Sequence, residues 1–164
     1  MKQLWMTALL LLLALSVTAC GGTPEADDPE EPAQTQLANP FVTYDTMEDA
    51  AQAVGFNLGL PDGVDWADEA VYQVMADSML QATYLSEDRT LTLRKAAGEN
   101  DISGDYNSYP EVSEETIGDR TVTCKGKNGL VYTAIWQEDG YSFSLTDDHG
   151  LDGATLTVYL SRIA

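Results

Sequence analysis

From Ala70 to Thr146 the chain alternates apolar and polar residues in short runs separated by turn-forming pairs. A period of two puts successive side chains on opposite faces, so this pattern leaves little room for anything but an antiparallel sheet. The runs are Val71–Ala76, Met79–Leu85, Arg89–Lys95, Val112–Ile117, Arg120–Lys125, Leu130–Gln137 and Tyr141–Thr146. Asp77-Ser78, Glu87-Asp88, the Gly126–Gly129 turn and Asp139-Gly140 break them. Asp-Gly between two alternating runs is a strong hairpin signal, because both residues tolerate the positive φ of a tight turn.

One face of these strands collects Leu91, Leu93, Val122, Cys124, Tyr132, Ala134, Trp136, Tyr141, Phe143 and Leu145. The other carries Thr90, Thr92, Thr121, Thr123, Ser142 and Ser144. The expected fold is therefore α+β: an antiparallel sheet of about six or seven strands in a hairpin meander, one face buried under helices and one wetter. A short helix precedes the sheet. Thr46-Met47-Glu48-Asp49 reads as a variant capping box, Met47, Ala50, Ala51 and Val54 recur at helical spacing, and Gly55 stops the element. Phe56, Leu58 and Leu60 follow with period two before Pro61-Asp62-Gly63 breaks the chain.

The C-terminal segment reads two ways. Leu156, Val158 and Leu160 alternate like a strand, and propensity favours that choice; Leu151, Thr155, Tyr159 and Ile163 fit a helix.

Ahead of the sheet lie two segments of a different kind. Lys2 is followed by an apolar run from Ala8 to Leu15 and then by Val17-Thr18-Ala19-Cys20. The run is too short to cross a bilayer, which takes about 20 apolar residues. Its order resembles a bacterial lipoprotein signal peptide with its lipobox. The resemblance implies residues 1–19 as signal peptide, lipidation of the Cys20 sulfur, and a chain held by that anchor on the extracytoplasmic face of the cell membrane. Residues 20–39 read as an acidic, proline-rich tether, with Pro24, Pro29 and Pro32 among Glu25, Asp27, Asp28, Glu30 and Glu31. Few apolar groups and many like charges keep such a segment extended. Residues 40–164 remain as one α+β domain.

The 27 acidic and 8 basic side chains give a net charge of −19. Cleavage before Cys20 would remove one basic residue, Lys2, and no acid, leaving −20. That charge repels phosphate backbones and excludes nucleic acid as a partner.

The phrases Asn39–Thr46, Ala53–Phe56, Leu91–Lys95, Ile102–Asn107 and Tyr132–Trp136 together resemble a domain family of unknown function found in lipoproteins and membrane-anchored proteins of Gram-positive bacteria. The resemblance spans nearly all of residues 39–164. It implies the α+β fold, a C-terminal helix and the extracytoplasmic location, and it supplies no catalytic residues.

The residues offer little catalytic chemistry. There is no Gly-x-Ser-x-Gly elbow, phosphate-cradling glycine loop or His-Glu-x-x-His. The single histidine, His149, lies in Asp147-Asp148-His149-Gly150, read as a solvated turn, without the His/Cys cluster a metal needs. Cys124 has no partner once Cys20 is acylated and reads as a small buried residue. No catalytic residue, metal or cofactor is expected.

The candidate binding element is the loop from Gly98 to Pro110, too long for a simple hairpin connection. Its Asp101, Asp105, Tyr106, Asn107 and Tyr109 combine carboxylate and amide oxygens with aromatic rings. Three readings stand side by side: a calcium loop without the usual spacing or terminal glutamate, a tyrosine-bearing contact surface for an extracytoplasmic protein partner, and a plain crossover between two halves of the sheet. The expected function is a non-enzymatic binding or sensing domain. The alternative is a carrier of a lipid or small apolar ligand, with Met75, Met79, Leu80, Tyr84 and Trp136 as cavity walls.

Overall fold

Alternating runs that must each bury one face resolve into one open, eight-stranded antiparallel sheet. The structure, a computed structural model, describes residues 39–76 and 78–163. The signal segment 1–19, Cys20, the tether apart from Asn39, and Asp77 lie outside the described residues. The elements are β1 (Phe41–Tyr44), α1 (Met47–Val54), β2 (Glu69–Met75), β3 (Met79–Leu85), β4 (Thr90–Ala97), β5 (Glu111–Ile117), β6 (Arg120–Lys127), β7 (Leu130–Glu138), β8 (Tyr141–Leu151) and α2 (Gly153–Leu160). Their order in the sheet is β1-β2-β3-β4-β8-β7-β6-β5. Two four-stranded meanders thus join where β4 pairs with β8, and the 98–110 loop must carry the chain from the middle of the sheet to its far edge.

Seven strands match the alternating runs, and the sheet has one more. β1 is only four residues long, too short for its period to show in the sequence. β8 is longer than expected. It continues through Asp147-Asp148-His149-Gly150, the stretch read as a turn, and His149 stands exposed on it with its N–H bonded to Asp147 Oδ1 at 3.0 Å. Phe56, Leu58 and Leu60 form no strand; they run in an irregular segment over the core face, with Leu58 buried.

Both helices are fixed by their caps. Thr46 Oγ1 accepts the Asp49 N–H at 3.1 Å while its hydroxyl donates to Asp49 Oδ2 at 2.7 Å. The α1 N-terminus is therefore closed by two side chains. Gly55 ends it, its N–H on Ala51 O at 2.9 Å. The C-terminal segment is a helix because of Asp152, whose Oδ1 accepts the N–H groups of Ala154 and Thr155 at 2.9 and 3.0 Å. These bonds, the Thr155 N–H first among them, hold the Asp152 carboxyl below the usual range. Helix α2 and the turn after it bury Leu156, Tyr159, Leu160 and Ile163, the i, i+3, i+4, i+7 stripe, and leave Val158 outside. A strand would have placed Val158 with Leu156 and Leu160.

The core lies on the helix-bearing face. Val74, Leu80, Leu91, Leu93, Val122, Ala134, Trp136, Phe143 and Leu145 pack there against Ala50, Leu156 and Leu160. Trp136 and Phe143, directly opposite on β7 and β8, stack with ring centres 5.1 Å apart. Lys95 follows the same alternation and so reaches this face. Its amine is held by Asn57 O at 2.8 Å and lies 4.6 Å from the Tyr141 ring centre, 5.0 Å from that of Phe143. Burial pushes its pKa down, against the opposing pull of Glu138 and Asp139.

Leu156→Ala should cost about 2–5 kcal/mol in denaturant unfolding, since it removes a fully buried side chain. Asp152→Asn should flatten the acid end of the melting curve. A carboxyl held low in the folded state stabilises above its unfolded pKa of about 3.9 and loses that effect as pH falls through the folded value. Equal acid sensitivity of wild type and variant would exclude this role for the cap.

Candidate functional site

The face of the sheet away from the helices is the one on which threonine and serine alternate. It is not simply wet. The 98–110 loop leaves the end of β4, crosses β8, β7 and β6 on this face and enters β5, covering Ser142 and Thr133 until both are fully buried.

Hydrogen bonds fix the loop along its length. At its start Gly98 is bonded to β8 and the turn before it: its N–H donates to Gly140 O and its carbonyl accepts the Ser142 hydroxyl, both at 2.9 Å. The Gln137 amide donates to Glu99 O at 2.8 Å. Asp101 Oδ1 accepts the N–H and hydroxyl of Ser103 at 2.9 and 2.6 Å, while Oδ2 pairs with Lys125 at 3.0 Å. Arg94 Nη1 donates to the carbonyls of Ile102 and Ser103 at 3.1 and 2.5 Å, and its Nε donates to Gln81 Oε1 at 2.7 Å. Gln81 passes the chain on to Gln73 Oε1, and Gln73 to Thr43 Oγ1. Thr43, Gln73, Gln81 and Arg94 are direct partners on four neighbouring strands, so one polar row runs from the β1 edge to the loop.

Asp105 is the second anchor. Its Oδ2 accepts the hydroxyls of Tyr109 (2.7 Å) and Thr133, and its Oδ1 accepts the backbone and amide N–H of Asn107 at 3.0 and 2.7 Å. Burial alone would raise this carboxyl's pKa; the bonds from Thr133, Asn107 and Tyr109 outweigh it and hold the group below its usual range. Burial and the Asp105 carboxylate in turn push the Tyr109 phenol up.

Beside the pinned loop opens a groove of about 570 Å³. Its floor is Thr90, Thr92 and Thr146 of β4 and β8, one wall is Ser103–Asp105 with Asn107–Tyr109, and the far side holds Tyr132, Lys127, Asp147 and Asp148. Tyr109 and Tyr132 stack with ring centres 5.9 Å apart, and the Lys127 amine lies 5.0 Å from the Tyr132 ring centre.

Tyr132 departs from the sequence reading, which placed it on the apolar face. Val131 pairs with Leu151 and Thr133 with Thr146, so four residues of β8 face the single Tyr132. This bulge breaks the alternation and turns Tyr132 to the groove beside Thr133. Two glycines make room for the arrangement. A Cβ on Gly150 (φ +78°) would fall 2.8 Å from the Tyr132 ring, and one on Gly104 (φ +65°) 2.5 Å from Arg94 Nη1. Both positions also hold the left-handed backbone that glycine tolerates best.

Of the five loop residues singled out in the sequence, Asp105, Asn107 and Tyr109 line the groove. Asp101 faces Lys125 instead, and Tyr106, 97% exposed, stands clear of it. Sequence reasoning missed Arg94, Lys127 and Tyr132 as groove residues. The threonine alternation on β4 was the one signal that pointed to the floor. Among the described residues no three His, Cys, Asp or Glu side chains gather as a metal site, and the loop carboxylates weighed for calcium hold the loop's own donors. Cys124 is buried opposite Ala134, and its burial and Glu115 push the thiol up to about 11. The five side chains considered as carrier walls do not share a face: Met75 and Met79 oppose each other on the loop side, while Leu80, Tyr84 and Trp136 belong to the core.

Comparison with protein-family models, curated proteins and solved structures finds no match.

Asp105→Asn should cost about 1–3 kcal/mol, because the charge-assisted bonds from Thr133 and Tyr109 are weakened. A carboxyl with a depressed folded pKa stabilises above its unfolded value of about 3.9 and loses the effect below. Wild type should therefore lose stability as pH falls through the acid range, and the variant should start lower at pH 7 and fall less. Thermal melts at pH 2–7 measure both; parallel curves would remove Asp105 as an anchor.

Proposed function

We propose that this chain is a lipid-anchored binding domain on the extracytoplasmic face of a bacterial cell membrane, and that it works by presenting the groove beside the 98–110 loop rather than by catalysis. The observation that carries the reading is the construction of the loop. It is polar, it lies on a sheet face, and its carbonyls and carboxylates are held in one arrangement by bonds to four strands. A loop ordered before binding spares the ligand the entropy of ordering it. Rigid polar groups around a concavity are the ordinary makings of a recognition site.

The anchor fits this use. An acylated Cys20 followed by an acidic, proline-containing spacer would give the domain reach away from the membrane. The excess of acids, −19 in the full sequence and −20 once Lys2 is cleaved away, would keep it from settling on anionic lipid headgroups. The single thiol of the domain is buried and raised in pKa, and its single histidine is exposed on β8, away from any second such group. Binding is the function these residues support best.

Two measurements test the parts separately. Cys20→Ala should abolish incorporation of a palmitate analogue and move the chain from the membrane to the soluble fraction; unchanged fractionation would remove the anchor. A photo-reactive benzoylphenylalanine at Ser108, on the groove wall, should give a discrete adduct in intact cells. The same group at Val158, exposed on α2, should not. Equal labelling at the two positions would overturn the binding reading.

A further inference from the structure

We propose that the groove takes a neutral saccharide chain, an inference that rests on the binding reading above and names its ligand class. The groove groups that remain free decide the ligand class. Asp105, Asp147 and Asp148 border the groove, each accepts a hydrogen bond from within the fold, and the Asp147 side chain turns away to the helix-bearing face beside Leu91. Asp105 accepts Tyr109, Thr133 and Asn107; Asp147 accepts Arg89 Nε and Nη2 at 2.9 and 2.8 Å; Asp148 accepts the Thr90 N–H at 3.0 Å. Arg94 is likewise committed to Gln81 and the loop carbonyls. What faces the open space is the hydroxyls of Thr90, Thr92, Thr146 and Ser108, the exposed Lys127, and the Tyr109–Tyr132 pair.

These groups select by exclusion as well as by fit. A polyanion would meet the carboxylates of Asp105 and Asp148, while the Arg94 guanidinium is spent on the loop and only the Lys127 amine stands free. A lipid chain would have to cover a floor of threonine hydroxyls and leave them unpaired, which costs free energy at each one. A sugar ring suits both halves of the surface. Its hydroxyls donate and accept, as threonine and serine do. Its C–H face, carrying slight positive charge, rests against the negative face of an aromatic ring. The groove is open and runs along the sheet beside the loop, so a linear chain of rings fits better than a single enclosed unit.

Calorimetry on the full chain in mild detergent tests this, with cellotetraose, chitotetraose and maltotetraose as the probes. At least one should bind with a Kd on the order of 0.1–1 mM, the range expected of a small open site. Tyr132→Ala and Tyr109→Ala should weaken it by about tenfold or more, while Tyr132→Phe, which keeps the ring, should hold within about twofold. Thr92→Val leaves both rings in place and should still weaken binding by about threefold or more through one lost hydroxyl. Melting temperatures of each variant separate lost binding from lost folding. No heat with any of the three probes would overturn the saccharide proposal. If the Ser108 adduct still forms and is destroyed by protease, the binding reading stands with a protein as occupant. If neither heat nor adduct appears, both fall.

Discussion

The guanidinium of Arg94 is where the parts of this fold meet. It stands at the centre of the sheet, on β4, at the seam where the two meanders join. On one side it closes the row of side chains that begins at Thr43. On the other it holds two successive carbonyls of the crossing loop. Burial lowers its pKa, with Tyr106 pulling the other way, yet a guanidinium stays charged in a protein. Its planar fork serves Gln81 through Nε and two backbone oxygens through Nη1 at once. A lysine there would offer one point charge in place of a fork. The loop's path, and so the groove beside it, depends on this geometry.

The sheet was largely legible in the sequence because its signal is local. Seven of the eight strands announce themselves through alternation, and their turns through Asp-Gly and Asn-Gly pairs. Helix α2 read two ways on its residues, and the helix that the resemblance implied is the one that forms, with Asp152 ahead of Gly153-Ala154-Thr155 as its cap. Propensity gave way to a cap and a buried stripe, as it commonly does when tertiary packing is available. The site was less legible, because it is made by contacts that span the chain. Thr133 and Asp105 are 28 residues apart, and Ser142 and Gly98 are 44 apart. Tyr132 reaches the groove through a bulge whose extra residues lie on the partner strand, so its own sequence neighbours give no sign of it.

The two faces divide the work. The helix-bearing face contains the large buried side chains and would tolerate little beyond volume-conserving change. The loop-bearing face contains almost no apolar core; its order comes from charged and polar groups satisfying one another. Such a face can be altered without dismantling the core, which makes it the natural place for recognition. The edge strand β5 shows the same separation, with six of its seven residues exposed and Glu114 and Glu115 guarding it against pairing with another strand.

The acidity of the chain takes on a different meaning once the site is built. Twenty-seven acids suggest cation binding, and the loop with its Asp101 and Asp105 looks like the place for it. Yet the carboxylates nearest the groove already accept hydrogen bonds from within the fold, and Asp101 and Asp105 are held below their usual pKa by those donors. A cation would have to displace Lys125, Ser103, Thr133 and Tyr109 and thereby release the loop that brought the oxygens together. The acids are structural here, and recognition passes to the groups they leave free, the hydroxyls of the floor and the two tyrosine rings.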